Sequence, residues 1–102
     1  MAVKFNPKQG ENSMVTGIVL VNVERAMINQ VIDSMMAIDG VTEVYTVAGE
    51  YDLVGVIRVC DNGKLASIIA TEMTNISGII HTKTLVTLAA NAKVDLAKAF
   101  DC

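Results

Sequence analysis

Ile38-Asp39-Gly40-Val41 returns, little changed, as Ile76-Ser77-Gly78-Ile79, an offset of 38 positions. Each tetrad stands where a helical pattern of apolar residues stops and a strand-like pattern begins. Gly40 and Gly78 suit the place just past a helix, where the backbone turns left-handed and a Cβ is unwelcome. Ahead of the first tetrad, Met27, Ile28, Val31, Ile32, Met35 and Ile38 fall on one helical face. Leu65, Ile68, Ile69, Met73 and Ile76 do the same ahead of the second, and Asp61 or Asn62 can cap that helix by accepting from its free N–H groups. The spacing predicts helices over 25–38 and 62–76.

Apolar and β-branched runs predict strands over 15–23, 41–47, 52–59 and 79–88. The order is βαβ–βαβ, the α+β ferredoxin-like sandwich (βαββαβ), with two helices on one face of a four-stranded antiparallel sheet. Alternation separates Val15, Val19, Val21 and Val23 from Ile18 and Leu20, and Leu53, Ile57 and Val59 from Val54 and Val56. Both sets are apolar, whereas a solvated face should turn polar. The face without helices is therefore expected to dimerise, with Val19 and Val21 expected on it.

The middle strands are joined by a polar turn within Val47-Ala48-Gly49-Glu50-Tyr51-Asp52-Leu53-Val54. Gly49 suits a tight connection. A carboxylate at the mouth of an apolar strand, as Asp52 is, either bonds nearby backbone N–H groups or awaits a cationic ligand group.

Composition narrows the function. A chain of 102 residues, 52% hydrophobic and 19% charged, is one folded domain, and no apolar run approaches the roughly 18 residues of a membrane span. Residues 1–13 read as a flexible arm without a secretory signal, 14–90 as the domain and 91–102 as a tail or marginal helix, with cytoplasmic residence expected. The net charge is −3, and between Met14 and Ala90 four basic residues stand against eight acids. Direct nucleic-acid binding needs clustered positive charge and is not expected. Cys60, Cys102 and the single His81 cannot assemble a zinc site within one chain. Cys60 reads as a small apolar residue at a strand end, Cys102 as a free thiol, and a disulfide between them as the less favoured reading. Neither a nucleophilic triad nor a phosphate loop is present, so no catalysis and no cofactor are expected.

Val19-Leu20-Val21-Asn22-Val23, then Ile38-Asp39-Gly40-Val41, Val44-Tyr45-Thr46-Val47-Ala48-Gly49-Glu50-Tyr51-Asp52-Leu53 and Thr82-Lys83-Thr84-Leu85-Val86 follow one known order. Together they resemble the regulation-of-amino-acid-metabolism (RAM) domain, the effector-binding half of Lrp/AsnC-type transcriptional regulators. The resemblance spans about residues 14–90, and its Gly-x-Tyr-Asp turn is fairly specific. Full-length members carry a helix-turn-helix domain ahead of this one. The 13 or 14 residues before the first strand are too few for it, so the chain resembles the stand-alone form.

The resemblance implies dimers formed through the sheets, octameric or decameric rings, an amino acid effector held between subunits, and co-assembly with full-length Lrp/AsnC regulators. It carries ligand contact onto Gly49, Tyr51 and Asp52, and onto Thr82, Thr84 and the backbone near Leu85. Asp52 would hold the ammonium, the Gly49 backbone and Thr hydroxyls the carboxylate, and Tyr51 a wall of the site.

Plainer readings stand beside these. Asp52 and Tyr51 could fix the hairpin, and Thr82 and Thr84 could be ordinary strand formers. His81, on the same strand face as Lys83, reads as a rim residue, and the methionines read as apolar filler. A small dimeric α+β barrel enzyme is the catalytic alternative, disfavoured by an interior of Val, Ile and Leu. A third reading is a pure assembly partner without ligand.

Overall fold

The computed structural model describes residues 14–95. The expected arm over 1–13, and residues 96–102 of the expected tail, lie outside the described residues; residues 91–95 carry no helix. Four strands, β1 (Val15–Val23), β2 (Val41–Thr46), β3 (Leu53–Val59) and β4 (Ile79–Val86), form one antiparallel sheet in the order β2-β3-β1-β4. Helix α1 (Ile28–Met36) follows a 3-10 turn at Arg25–Met27. Helix α2 (Asn62–Ser67) runs on through a wider π turn (Ile68–Glu72) and a 3-10 turn (Met73–Asn75). This is the ferredoxin-like α+β sandwich.

Local chemistry accounts for the boundaries. Asp61 caps α2, its carboxylate accepting from the Lys64 N–H at 2.7 Å. Gly40 and Gly78 stand in the turns after the two helical segments and not directly at their ends. Helix α1 stops at Met36 with Ala37 still right-handed, and the last 3-10 turn stops at Asn75 with Ile76 extended. The two glycines follow with φ of +105° and +100°, a region where a Cβ is strained. The π turn was not expected from the periodicity, and packing explains it. Ile68 and Met73, both buried, stand five residues apart, and one extra residue in the turn keeps them on the same side.

The core lies between the helices and one sheet face. Val19, Val21, Leu53 and Ile57 from the sheet meet Val31, Met35 and Ile68 from the helical segments, all essentially inaccessible. Each such side chain contributes roughly 1.5–3 kcal/mol of burial. Val19 and Val21 are therefore not bare-face residues: at 1% and 0% exposure they sit beneath the helices. The helices choose that side because it carries the small residues. A Cβ on Gly17 would come within 2.7 Å of Leu65 Cδ1, and one on Gly55 within 2.6 Å of Met35 Cε.

Register places four rows on the opposite, open face. Asn22 pairs with His81; Lys83, Leu20, Val54 and Tyr45 form the next row; Leu85, Ile18, Val56 and Glu43 the next; Thr16 pairs with Arg58. Thr87 joins this last row, donating to the Thr16 carbonyl through both N–H and hydroxyl at 3.0 Å. The two inner rows are apolar except at their ends. Leu85 and Tyr45 are 45% and 52% exposed, so this face is uncovered in one protomer. Cys60, exposed just after β3, is disulfide-bonded rather than a plain apolar residue; Cys102 lies outside the described residues.

Candidate functional site

The 48–52 turn is fastened to the end of β1. Pairing of β1 with β3 stops at Val21 and Leu53, where the Asp52 N–H donates to the Val21 carbonyl at 2.9 Å. Two residues on, Val23 has no β3 residue opposite it, and its N–H donates instead to Asp52 Oδ2 at 3.0 Å. Asn22 reaches over the same end, its Nδ2 donating to the Glu50 carbonyl at 2.8 Å. The Val47 N–H closes the turn onto the Asp52 carbonyl at 3.0 Å. Gly49 takes φ of +143° with no atom within 4 Å of where a Cβ would stand. Tyr51 and Asp52 are half-buried, while Ala48, Gly49 and Glu50 are exposed.

Gly49, Tyr51 and Asp52 thus form one unit. The β4 candidates stand apart from it. Thr82 and Thr84 lie opposite Val21 and Val19, on the helix side of the outermost strand, with β1 between them and the turn. Two strand spacings, roughly 10 Å, separate Thr82 from the turn. Leu85 pairs with Ile18 and belongs to the open face. A single protomer therefore does not gather the six residues around one point.

Asn22 escaped the sequence reading, because only the register shows that it reaches a turn 28 positions away. A polar network at the β2 side of the open face escaped it too. Arg58 pairs with the Glu43 carboxylate and donates to Thr42 Oγ1 at 3.0 Å, while the Tyr45 hydroxyl donates to Glu43 Oε2. Tyr45 first, and Arg58 with it, lower the Glu43 carboxyl below its usual range against an opposing desolvation; the Glu43 carboxylate in turn raises the Tyr45 hydroxyl. A break in register between Val41 and Glu43 brings these side chains together.

His81 is exposed on the open face with Lys83. Among the described residues no group of three His, Cys, Asp or Glu side chains could hold a metal ion, and no helix is long and apolar enough to cross a membrane.

Comparisons with known proteins agree with this architecture. No match was found among curated proteins. A crystal structure of a protein from Thermus thermophilus is 26% identical, with a TM-score of 0.72; the match covers 78% of this chain and 99% of that one. AsnC from E. coli shares the fold at 19% identity and a TM-score of 0.73, covering 95% of this chain and 65% of that one. So does a transcriptional regulator from Neisseria meningitidis solved as an L-Met complex, at 10% identity and a TM-score of 0.68, covering 97% and 67%. The Lrp/AsnC ligand binding domain model matches residues 16–93, most of the sequence, and the chain belongs to that family.

Proposed function

We propose that this chain is a non-catalytic, amino-acid-binding and self-assembling regulatory module. It acts on transcription of amino-acid-metabolism genes in the cytoplasm by assembling with full-length Lrp/AsnC regulators, without contacting DNA itself. The observation that carries this reading is the Gly49–Asp52 turn. Its carboxylate is held in place through Oδ2, while Oδ1 accepts no hydrogen bond among the described residues. A fixed carboxylate with one open oxygen suits a ligand ammonium. Tyr51 stands beside it as an apolar wall. The structural neighbour solved with L-Met supports the effector class.

Thr82, Thr84 and the Leu85 backbone complete the site in this reading only when a second protomer brings them to a neighbour's turn. A dimer through the open sheet face, and an octameric or decameric ring beyond it, supplies such junctions. The acidic balance of the domain supports action through protein partners and not through phosphates.

One observation favours a second reading. Asp52 already has structural work at Val23, so the chain could be an assembly partner that binds no ligand. A thermal-shift screen across the proteinogenic amino acids, paired with scattering mass, separates the two. At 100 times its Kd a ligand stabilises by about 2.7 kcal/mol. A raised melting temperature with at least one amino acid supports the first reading. An oligomer that no amino acid stabilises leaves only the second.

A further inference from the structure

We propose that Asn22 is the positioning residue of the 48–52 turn: its side-chain amide, reaching out of β1, sets the Glu50–Tyr51 peptide and so holds Gly49 and Tyr51 ready for an amino acid. This rests on the amino-acid-binding reading above. It deepens that reading by naming a residue that acts through the turn and not by touching the effector.

The turn has few fastenings. The Val47 N–H and the Asp52 carbonyl close its neck, and the Asp52 N–H ties it to Val21. Of residues 48–51, only Glu50 makes a hydrogen bond among the described residues, and its partner is Asn22 Nδ2 at 2.8 Å. Around Gly49 the space is open, with nothing within 4 Å of where a Cβ would stand. Without Asn22 this backbone would be held at its two ends alone.

Asn22 itself stands on a fixed base. Its neighbours Val21 and Val23 are buried, and its backbone pairs with His81 of β4. A carbonyl only accepts, so the amide must turn its NH2 group to Glu50. The peptide group is planar, so holding the Glu50 carbonyl also fixes the direction of the Tyr51 N–H and the place of the Tyr51 Cα. The next residue of β1 makes the second tie, the Val23 N–H donating to Asp52 Oδ2 at 3.0 Å. Two consecutive residues of one strand thus set the carboxylate for the ammonium and the peptide that carries the Tyr51 wall. A site ordered before its ligand arrives loses less freedom on binding.

The test uses the full chain and its Asn22→Ala and Asn22→Asp variants. Each is titrated calorimetrically with the proteinogenic amino acid that most raises the melting temperature of the natural chain. Asn22→Asp keeps the shape, loses the donor and adds a negative charge, which alone would favour an ammonium. Both variants should stay folded by circular dichroism and bind roughly threefold to tenfold more weakly, the span of one hydrogen bond. NMR order parameters of the unliganded proteins read position directly. In Asn22→Ala they should fall at Gly49, Glu50 and Tyr51, from the roughly 0.85 of rigid backbone toward about 0.6, and hold at Val19 and Val21. Unchanged affinity in Asn22→Ala, or unchanged or tighter affinity in Asn22→Asp, overturns the proposal while amino-acid binding stands. Weaker binding with unchanged order parameters overturns it too, because Asn22 would then act by contact and not through the turn. A natural chain that binds no amino acid overturns the binding reading and this proposal with it.

Discussion

The Asp52 carboxylate and the Val23 backbone N–H, 29 positions apart, are joined by a 3.0 Å hydrogen bond where β3 turns away from β1. The side chain does for Val23 what a further strand residue would do. The same bond fixes one carboxylate oxygen and so sets where the other stands, which links the stability of the hairpin to the chemistry of the turn.

Removing that side chain should therefore be felt in folding. A part-buried N–H left unpaired costs about 1–3 kcal/mol, so Asp52→Ala should lose about that much in urea unfolding. Asp52→Asn keeps an oxygen acceptor and should stay within about 1 kcal/mol of the natural chain. Equal losses in both variants would remove the backbone role.

Two glycines with positive φ should respond differently to alanine. At Gly78, φ of +100° is compounded by crowding: a Cβ would lie 2.9 Å from Val31 Cγ2 and 3.0 Å from Met27 Cβ. Gly49 has the strained φ and open space around it. Backbone strain alone costs about 1–3 kcal/mol. Gly78→Ala should exceed that range, and Gly49→Ala should stay inside it.

The Glu43 network predicts a pH response at both ends. The folded Glu43 carboxyl lies below its ordinary 4.5, so it binds fewer protons than the unfolded chain does in acid. Its contribution is present above 4.5 and is lost as pH falls through the lower folded value. The Tyr45 hydroxyl lies above its ordinary 10.0, so its contribution is present below 10.0 and is lost as pH rises through the higher folded value. Denaturation midpoints of Glu43→Gln should fall less steeply than those of the natural chain at both extremes. Identical profiles would mean that the network adds nothing to stability.

A charge placed on neighbouring residues of β1 should have two distinct effects. Val21→Asp buries an unpaired carboxylate at a position with 0% exposure and should unfold the chain. Leu20→Asp enters the open face and should leave a folded protomer, read by circular dichroism, with the scattering mass of a monomer. A folded dimer of Leu20→Asp would show that the open face is not the interface.

Much of the fold was legible because its punctuation is local. The repeated tetrad marked the turn after each helical segment, Gly40 and Gly78 take the positive φ expected of them, and Asp61 caps α2. Which face of β1 the helices cover was not legible from hydrophobicity, since Val19 and Leu20 are equally apolar. The signal was volume: Gly17 and Gly55 make room for Leu65 and Met35. The π turn escaped because Ile68 and Ile69 offer a regular helical stripe as good as the one adopted. At the site, Gly49, Tyr51 and Asp52 were visible as a turn, but the contacts that hold it, Asn22 to Glu50 and Val23 to Asp52, depend on strand register. The Glu43–Arg58 pair depends on it as well, through the irregularity after Val41.

The central claim is that Asp52 holds the ammonium of an amino acid. Its most direct test is calorimetric titration of the natural chain and of Asp52→Asn with the amino acid that stabilises the natural chain most. A charged hydrogen bond is worth about 2–3 kcal/mol, so affinity should drop roughly 30- to 150-fold in Asp52→Asn while the melting temperature of the unliganded protein holds. Equal affinities in the two proteins would contradict the ligand role and leave Asp52 with its bond to Val23 alone.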